Sequence, residues 1–545
     1  MSGPSAVAAP NDRSSWTPMI VIAMGQALMS FNVAAIPVSM SGMVKSFETP
    51  PTTVGVAIIM YSLGVSGFVM LGAKLGQRFG SKIFFQAAVL MFLCAMVLMV
   101  VSPRAEIMLL AQGLAGLAGA ALVPSLVALI ANHYRGDQQA QAVGWLGSAR
   151  AIAGVLAFVT VGFVAAFNWR LGFGLLILHA AAILVLSFKL KPSAPKPEVK
   201  IDVVGVFLAA IGIILIIFGF NNIRSWGALT ALPGAPFDLV GVSPAPMFIV
   251  AGVVTMTMFF LWSFRREAAN KTPLLALQVV SSPREWATVA ALFLIVAMEG
   301  AINFSVPLYI QIVQGRSSMQ TSFAMMPFML TVFFTAILVV RLYNRLSPRQ
   351  LAFIAYIAVS IGMAWLAFVI HNDWSTIPVI IGLVIVGVGQ GSLVTLLFNV
   401  LVTASPKELA GDVGSLRGVT QNMAAAVGTA VVGAVLVGLL GSFVLREVDR
   451  STVITPELAA QVDLSSINFV GNDRLRETMA ATTASPEQVE KAVRINENAR
   501  LRALKTGFII MSGIALLALL PCSMLPSYKR GEIPPDDKPR PAPKS

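Results

Sequence analysis

Apolar runs of about twenty residues recur along the chain, separated by short polar or glycine- and proline-bearing turns. A bilayer core about 30 Å thick is crossed by roughly 20 helical residues at about 1.5 Å each. The pattern predicts fourteen transmembrane helices, near 18–42, 54–73, 83–102, 107–131, 140–166, 170–188, 202–221, 245–264, 287–312, 320–340, 351–370, 377–402, 413–444 and 506–526. An even number puts both ends of the chain on one side. Cytoplasmic loops carry the excess of Lys and Arg. With the termini inside, inner segments hold 23 of the 38 basic residues and the short outer loops five: Lys45, Arg104, Arg170, Arg224 and Arg316. Nine more lie in the long segment 445–505, and Arg150 lies within the fifth span. Both termini are therefore expected in the cytoplasm of a cell whose inner, cytoplasmic membrane holds the protein.

Composition agrees and narrows the class. Of 545 residues 57% are hydrophobic and 12% charged, with a mean hydropathy of +0.81. A soluble domain carries about 25% charged residues, so this chain could not cover its surface in water. That excludes soluble enzymes, disordered regulators and secreted disulfide scaffolds. The net charge of +13 reads as membrane topology and calls for no nucleic-acid partner. Cys94 and Cys522 sit in apolar runs, and no cluster suggests a metal or another cofactor. There is no phosphate-binding Gly-x-x-x-x-Gly-Lys-Ser/Thr loop, so any transport must draw on a gradient. Residues 1–17 lack the pattern of a removable signal peptide. Ser485-Pro486-Glu487 reads as an N-cap, a first-turn proline and an acidic first turn, which predicts a helix running into the last span. The remaining charges of 445–505 form a solvated face or the dock for a periplasmic partner, and the tail Glu532–Ser545 reads as disordered.

The chain also repeats itself. Lys74-Leu75-Gly76-Gln77-Arg78-Phe79-Gly80-Ser81-Lys82 follows the second span, and Arg341-Leu342-Tyr343-Asn344-Arg345-Leu346-Ser347-Pro348-Arg349 follows the tenth. Both read base, Leu, any, amide, Arg, apolar, small, any, base. Two six-helix units of the same orientation follow, the parallel repeat of some transporters. The expected organisation is a cytoplasmic N-terminus at 1–17, a six-helix half at 18–188, a region with two extra spans at 189–285, a second half at 286–526 and a cytoplasmic tail at 527–545. With Leu75, Arg78, Gly80 and Lys82 in the loop motif, Ala35-Ile36-Pro37, Gln112-Gly113, Trp169-Arg170 and a thirteenth span rich in glycine (Gly411, Gly414, Gly428, Gly433), the chain resembles the major facilitator superfamily and its fourteen-span drug:proton antiporters. The resemblance implies an all-α membrane fold and alternating access of two halves around a central cavity. It also implies solute movement coupled to an ion, and Lys74, Gln77, Arg78, Gly80, Lys82, Arg341, Asn344, Arg345 and Arg349 as gating loops. The chain departs from the family at Leu28, Ala73, Gln77, Ser81, Leu109 and around Ala157-Phe158, where acids, arginine, glycine or proline usually stand.

Ionisable residues inside a membrane are costly and are functional candidates by default. Glu299, near the middle of the ninth span, can exist charged or protonated, as a proton carrier must. It is read as a proton-coupling group or the binder of a cationic solute, and equally as a permanently paired carboxylate. Arg150 is its candidate partner, a direct binder of anionic solute, or a cap on helix carbonyls. His179 reads as a packed or lipid-side histidine more than as a proton relay. Gln26, Ser30, Asn32, Tyr61, Gln112, Asn303, Gln311, Gln390 and Asn399 are candidates for the cavity wall, and Gly113, Gly116 and Gly119 with Ala120 for a moving helix interface. The expected function is a secondary active transporter, not an enzyme, that exports small amphipathic or lipophilic compounds at the expense of protons. A carrier for one metabolite or lipid without proton coupling, and a transporter-derived sensor or assembly protein, stand beside it.

Overall fold

The computed structural model describes residues 15–527 apart from 135, 193, 233, 239, 343–344, 373–375, 405–409, 455–468 and 481. Asn344 and the tail Glu532–Ser545 lie outside the described residues. Among the described residues sixteen α-helices are eight residues or longer. They are α1 (Thr17–Val38), α2 (Met40–Phe47), α3 (Pro51–Phe79), α4 (Ser81–Val101), α5 (Ala105–His133), α6 (Gly136–Val164), α7 (Trp169–Ser187) and α8 (Val203–Trp226). The chain continues through α9 (Pro244–Ala268), α10 (Pro283–Pro307), α11 (Ser318–Leu342), α12 (Pro348–Val369), α13 (Thr376–Ala404), α14 (Ala410–Asp449), α15 (Asn472–Ala480) and α16 (Pro486–Leu517). Among the described residues thirteen helices are long and apolar enough to cross a membrane. The 29-residue α6, whose apolar part is Ile152–Val164, takes the place of the remaining expected span.

Helix ends fall where the sequence supplies stops. Prolines open α3, α9, α10, α12 and α16, where a missing N–H costs nothing. Ser347 and Ser485 each form a reciprocal capping box with a glutamine three residues on, Gln350 and Gln488. The expected helix from Pro486 does run into the final span. Gly80, at φ +91°, makes the turn between α3 and α4, a backbone angle that side chains disfavour.

The packing pairs of the first long helices recur in the last. In the first bundle α5 packs on α3 and α4, α7 on α4, and α6 on α1. In the second, α13 packs on α11 and α12, α16 on α12, and α14 on α10. The seam between them is made by α3 against α14 and by α6 against α11, and α8 of the α8–α9 hairpin lies on both α3 and α14. Buried Asp202 holds the hairpin, accepting from Gly205 N (3.1 Å) and Trp262 Nε1 (3.0 Å) and facing Arg266 Nε at 3.5 Å. Large apolar side chains such as Phe163, Phe264, Phe368 and Ile377 stand exposed on the outside, which suits lipid and not water.

Both bundles bend their first helix at a proline. Pro37 lies near the end of α1, which breaks at Ser39, and Pro307 ends α10, which continues as a π-helical turn over Leu308–Val313. Each proline removes an N–H from the helical ladder. The widened turn presents Gln311, whose Nε2 donates to Pro37 O (2.9 Å) and whose Oε1 accepts from Ser41 N (2.9 Å). The bundles are thus tied at the end where α1 and α10 finish.

Close backbone contact sets the spacing within bundles. A Cβ on Gly428 would lie 1.9 Å from Ala297 O, and one on Gly116 2.2 Å from Tyr61 O. The expectation that Gly113, Gly116 and Gly119 mark a moving interface is corrected here. Gly116 and Gly119 meet Tyr61 and Val65 of α3, so they join two helices of one bundle and do not face the seam. Substituting Gly428→Val forces α10 and α14 apart at a cost of about 1–3 kcal/mol or more. Its thermal midpoint in detergent should fall clearly below wild type, whereas Gly441→Ala, with open space around it, should leave the midpoint unchanged.

Candidate functional site

Polar side chains gather where α3, α6, α10, α13 and α14 face one another. Glu299 lies at the middle of the 31-residue apolar stretch Pro283–Val313 and is half-buried. Gln390 of α13 donates its Nε2 to Glu299 Oε2 at 2.8 Å. Asn303 follows Glu299 by one turn on the same face of α10. Two acceptors here are buried and unpartnered, Gln390 Oε1 and Asn303 Oδ1. This side of the site can accept a proton or donors from a solute.

A group of donors lies on α6 and α14. Arg150 Nη1 donates to Gln421 Oε1 at 3.3 Å, a bond across the seam. Arg417, one turn before Gln421, lies over the ring of Phe398 of α13 at 3.9 Å and is close enough to Arg150 for their charges to interact. Tyr61 also lies within the field of Arg150. Arg417 Nε and Gln421 Nε2 are buried donors without a partner. Arg417 falls inside the predicted thirteenth span, 413–444, close to its cytoplasmic end. The structure places it in the third turn of α14, which begins at Ala410. The Ser405-Pro406 pair and Asp412, a helix-start pattern in the sequence, were the signal that could have shown it.

The remaining candidates divide. Asn32 and Gln112 exchange bonds of 2.9 and 3.2 Å and are fully buried, so they fasten α1 to α5 and line no cavity. Gln311 is likewise consumed by the tie between the bundles. Gln26 Nε2 donates to half-buried Ser30 Oγ at 3.2 Å within α1. Tyr61 is buried against α5, while Asn399 is half-buried on α13. Arg150 forms no ion pair with Glu299 among the described residues; its bond goes to Gln421. His179 is packed as expected, its Nε2 3.0 Å from Met24 O.

In the loops, Lys82 Nζ donates to Phe188 O (2.9 Å) and Leu190 O (2.6 Å), a cation on the carbonyl end of α7. Lys74 is half-buried, and Gln77 and Arg78 are exposed, with Gln77 O accepting from Lys196 N at 3.1 Å. Arg345 and Arg349 are exposed, and Arg349 N donates to Pro526 O at 3.3 Å. The side chain of Arg341 lies outside the described residues, as Asn344 does. Among the described residues no group of His, Cys, Asp and Glu could hold a metal ion.

The sequence profile of the Major Facilitator Superfamily matches residues 22–429. The chain belongs to that superfamily. It is 25% identical over 401 residues to a probable actinorhodin transporter of Streptomyces coelicolor, covering 71% of this chain and 67% of the relative. It is 23% identical over 448 residues to the multidrug efflux pump LfrA of Mycolicibacterium smegmatis, covering 81% and 84%. Among solved structures, a bacterial homologue of the human lysosomal transporter Spinster superposes with a TM-score of 0.58 at 13% identity, covering 92% and 96%. A peptide transporter of the POT group does so with 0.57 at 14%, covering 95% and 97%. These place the fold. As a major facilitator protein the chain is a membrane transporter of small molecules and not an enzyme.

The Asn32–Gln112 pair has a measurable signature. Asn32→Ala or Gln112→Ala strands one buried amide and should cost about 1–3 kcal/mol each. The double variant should lose clearly less than the two single losses together, read as thermal midpoints in detergent.

Proposed function

We propose that the protein exports small amphipathic or lipophilic compounds across the cytoplasmic membrane in exchange for protons, with both termini on the cytoplasmic side. One observation carries the coupling: in the interior of the apolar spans Glu299 is the carboxylate among the described residues, partly accessible, bonded to a neutral amide and to no cation. Such a group can take up and release a proton without breaking an ion pair. When it is ionised, the Gln390 amide donates to it. When it is protonated, it becomes a donor, and the amide can turn its unpartnered oxygen toward it. Protonation thus changes the charge at mid-membrane with a partner for either state, which suits a carrier whose two access states differ in proton binding.

The two repeated bundles supply the moving parts. α3 against α14 and α6 against α11 form the seam around which they rock. Gln311 is the tie to be broken when the end nearest α2 opens, and the Lys74–Lys82 and Arg341–Arg349 turns lie at the other end. The efflux relatives support the direction of transport, and the excess of basic residues in the inner loops supports the orientation.

The test is accumulation of rhodamine 6G and of fluorescein in an efflux-deficient bacterium expressing wild type or Glu299→Gln, with and without a protonophore. Wild type should lower accumulation of at least one dye. The protonophore and the variant should each remove most of that effect, the variant by roughly tenfold in efflux rate, at unchanged protein level. Unchanged accumulation of both dyes, or efflux that survives the protonophore, overturns the reading.

A further inference from the structure

Among the described residues, arginines set within or against the bundles fall into two kinds. Arg170 donates to Val100 O (3.1 Å) and Ser102 O (2.8 Å), and Arg266 faces Asp202 and donates to Thr272 O. Buried Arg500 donates to Val470 O and Asn472 Oδ1. Each of these spends its fork on fixed acceptors and holds the fold together. Arg150 and Arg417 do not. Among the described residues Arg150 makes one bond, to an amide, and Arg417 is met by the face of Phe398. Among the described residues neither has a carboxylate partner, and Gln421, which Arg150 bonds across the seam, stands one turn beyond Arg417 on α14. Glu299, the carboxylate in the interior of the spans among the described residues, is engaged with Gln390.

Two guanidinium groups kept in a membrane interior without a counter-ion cost more than any packing they provide. The unpartnered atoms beside them, Arg417 Nε and Gln421 Nε2, are both donors. We propose that Arg150, Arg417 and Gln421 form a subsite for an anionic group, a carboxylate, sulfonate or phosphate, carried by the transported solute. The guanidinium fork matches such groups in two-point contact, and Phe398 offers a flat apolar face beside it. Because α6 supplies one arginine and α14 the other, a bound anion relieves repulsion across the seam and draws the bundles together. The proposal rests on the transporter reading above and names its substrate class: amphipaths with an acidic group, in place of the purely cationic ones.

The experiment is dye binding to the purified full chain in nanodiscs, by fluorescence polarisation. Fluorescein and rhodamine 6G share a xanthene core, but the first is anionic at mildly alkaline pH and the second cationic. Arg417→Gln and Arg150→Gln should each weaken fluorescein binding by roughly ten- to a hundred-fold, the usual worth of a charge-assisted contact, and leave rhodamine 6G unchanged. Arg417→Lys should recover part of the loss. The melting midpoint of Arg417→Gln should equal or exceed that of wild type, since an unpaired, half-buried charge within a span is removed. Equal fluorescein binding by wild type and both variants overturns the subsite. So does a lowered midpoint with both dyes lost together, which would make Arg417 a structural residue.

Discs of phosphatidylcholine alone and discs with phosphatidylglycerol separate the source of the anion. Weakening of fluorescein by the anionic lipid in wild type alone assigns the subsite to a lipid headgroup, and no effect assigns it to the solute. Anion binding without proton-driven dye export would overturn the exporter reading and leave the subsite standing. Export of rhodamine 6G with no arginine-dependent anion binding would do the reverse.

Discussion

In hydrocarbon no water is present to bond a free N–H or C=O, so each backbone polar group in a span must find its partner inside the chain. The helices of this protein and much of their end chemistry follow from that constraint. Serine–glutamine boxes at Ser347 and Ser485, the carboxylate of Asp202, and first-turn prolines deal with the N-terminal donors. Lys82 and Arg170 bring cationic donors to carbonyls at the ends of α7 and α4. Side chains that look like gating or surface charge in the sequence are in part the caps that let a helix end at the membrane edge.

Once the helices exist, lipid gives them little reason to associate, because their apolar faces are equally at home among acyl chains. Contact has to come from shape and from polar bonds. Backbone contact at Gly116 and Gly428, and the Asn32–Gln112 exchange between α1 and α5, supply the tight packing inside bundles. The seam is different in kind. Its recorded polar links include the Gln311 tie at one end and the single Arg150–Gln421 bond in the middle. Firm bundles and a sparsely bonded seam suit a body that must change shape by moving its halves and not by unfolding its helices.

The centre then holds two unlike environments. Acceptors cluster around Glu299 on α10 and α13, and donors cluster around Arg150 and Arg417 on α6 and α14. Among the described residues no bond joins the two sets, which leaves polar capacity open between the bundles. Stability alone would have filled such a site with apolar side chains.

The spans, their approximate limits, the duplication and the superfamily were legible in the linear order of residues, because length of apolar run, basic loop bias and motif spacing are local properties. The helix from Pro486 into the final span was legible for the same reason. The mid-span position of Glu299 could also be read by counting. Which polar residue meets which could not. Asn32 and Gln112 are eighty positions apart and satisfy each other, while Arg150 bonds to Gln421 and not to the acid that one-dimensional reasoning paired it with. Arg417 could be placed in a span from the sequence, but its seat over the ring of Phe398 on α13 could not. Depth along a helix follows from counting residues at a fixed rise, but the direction a side chain faces and the helix it meets depend on packing between distant segments, which only the tertiary structure decides.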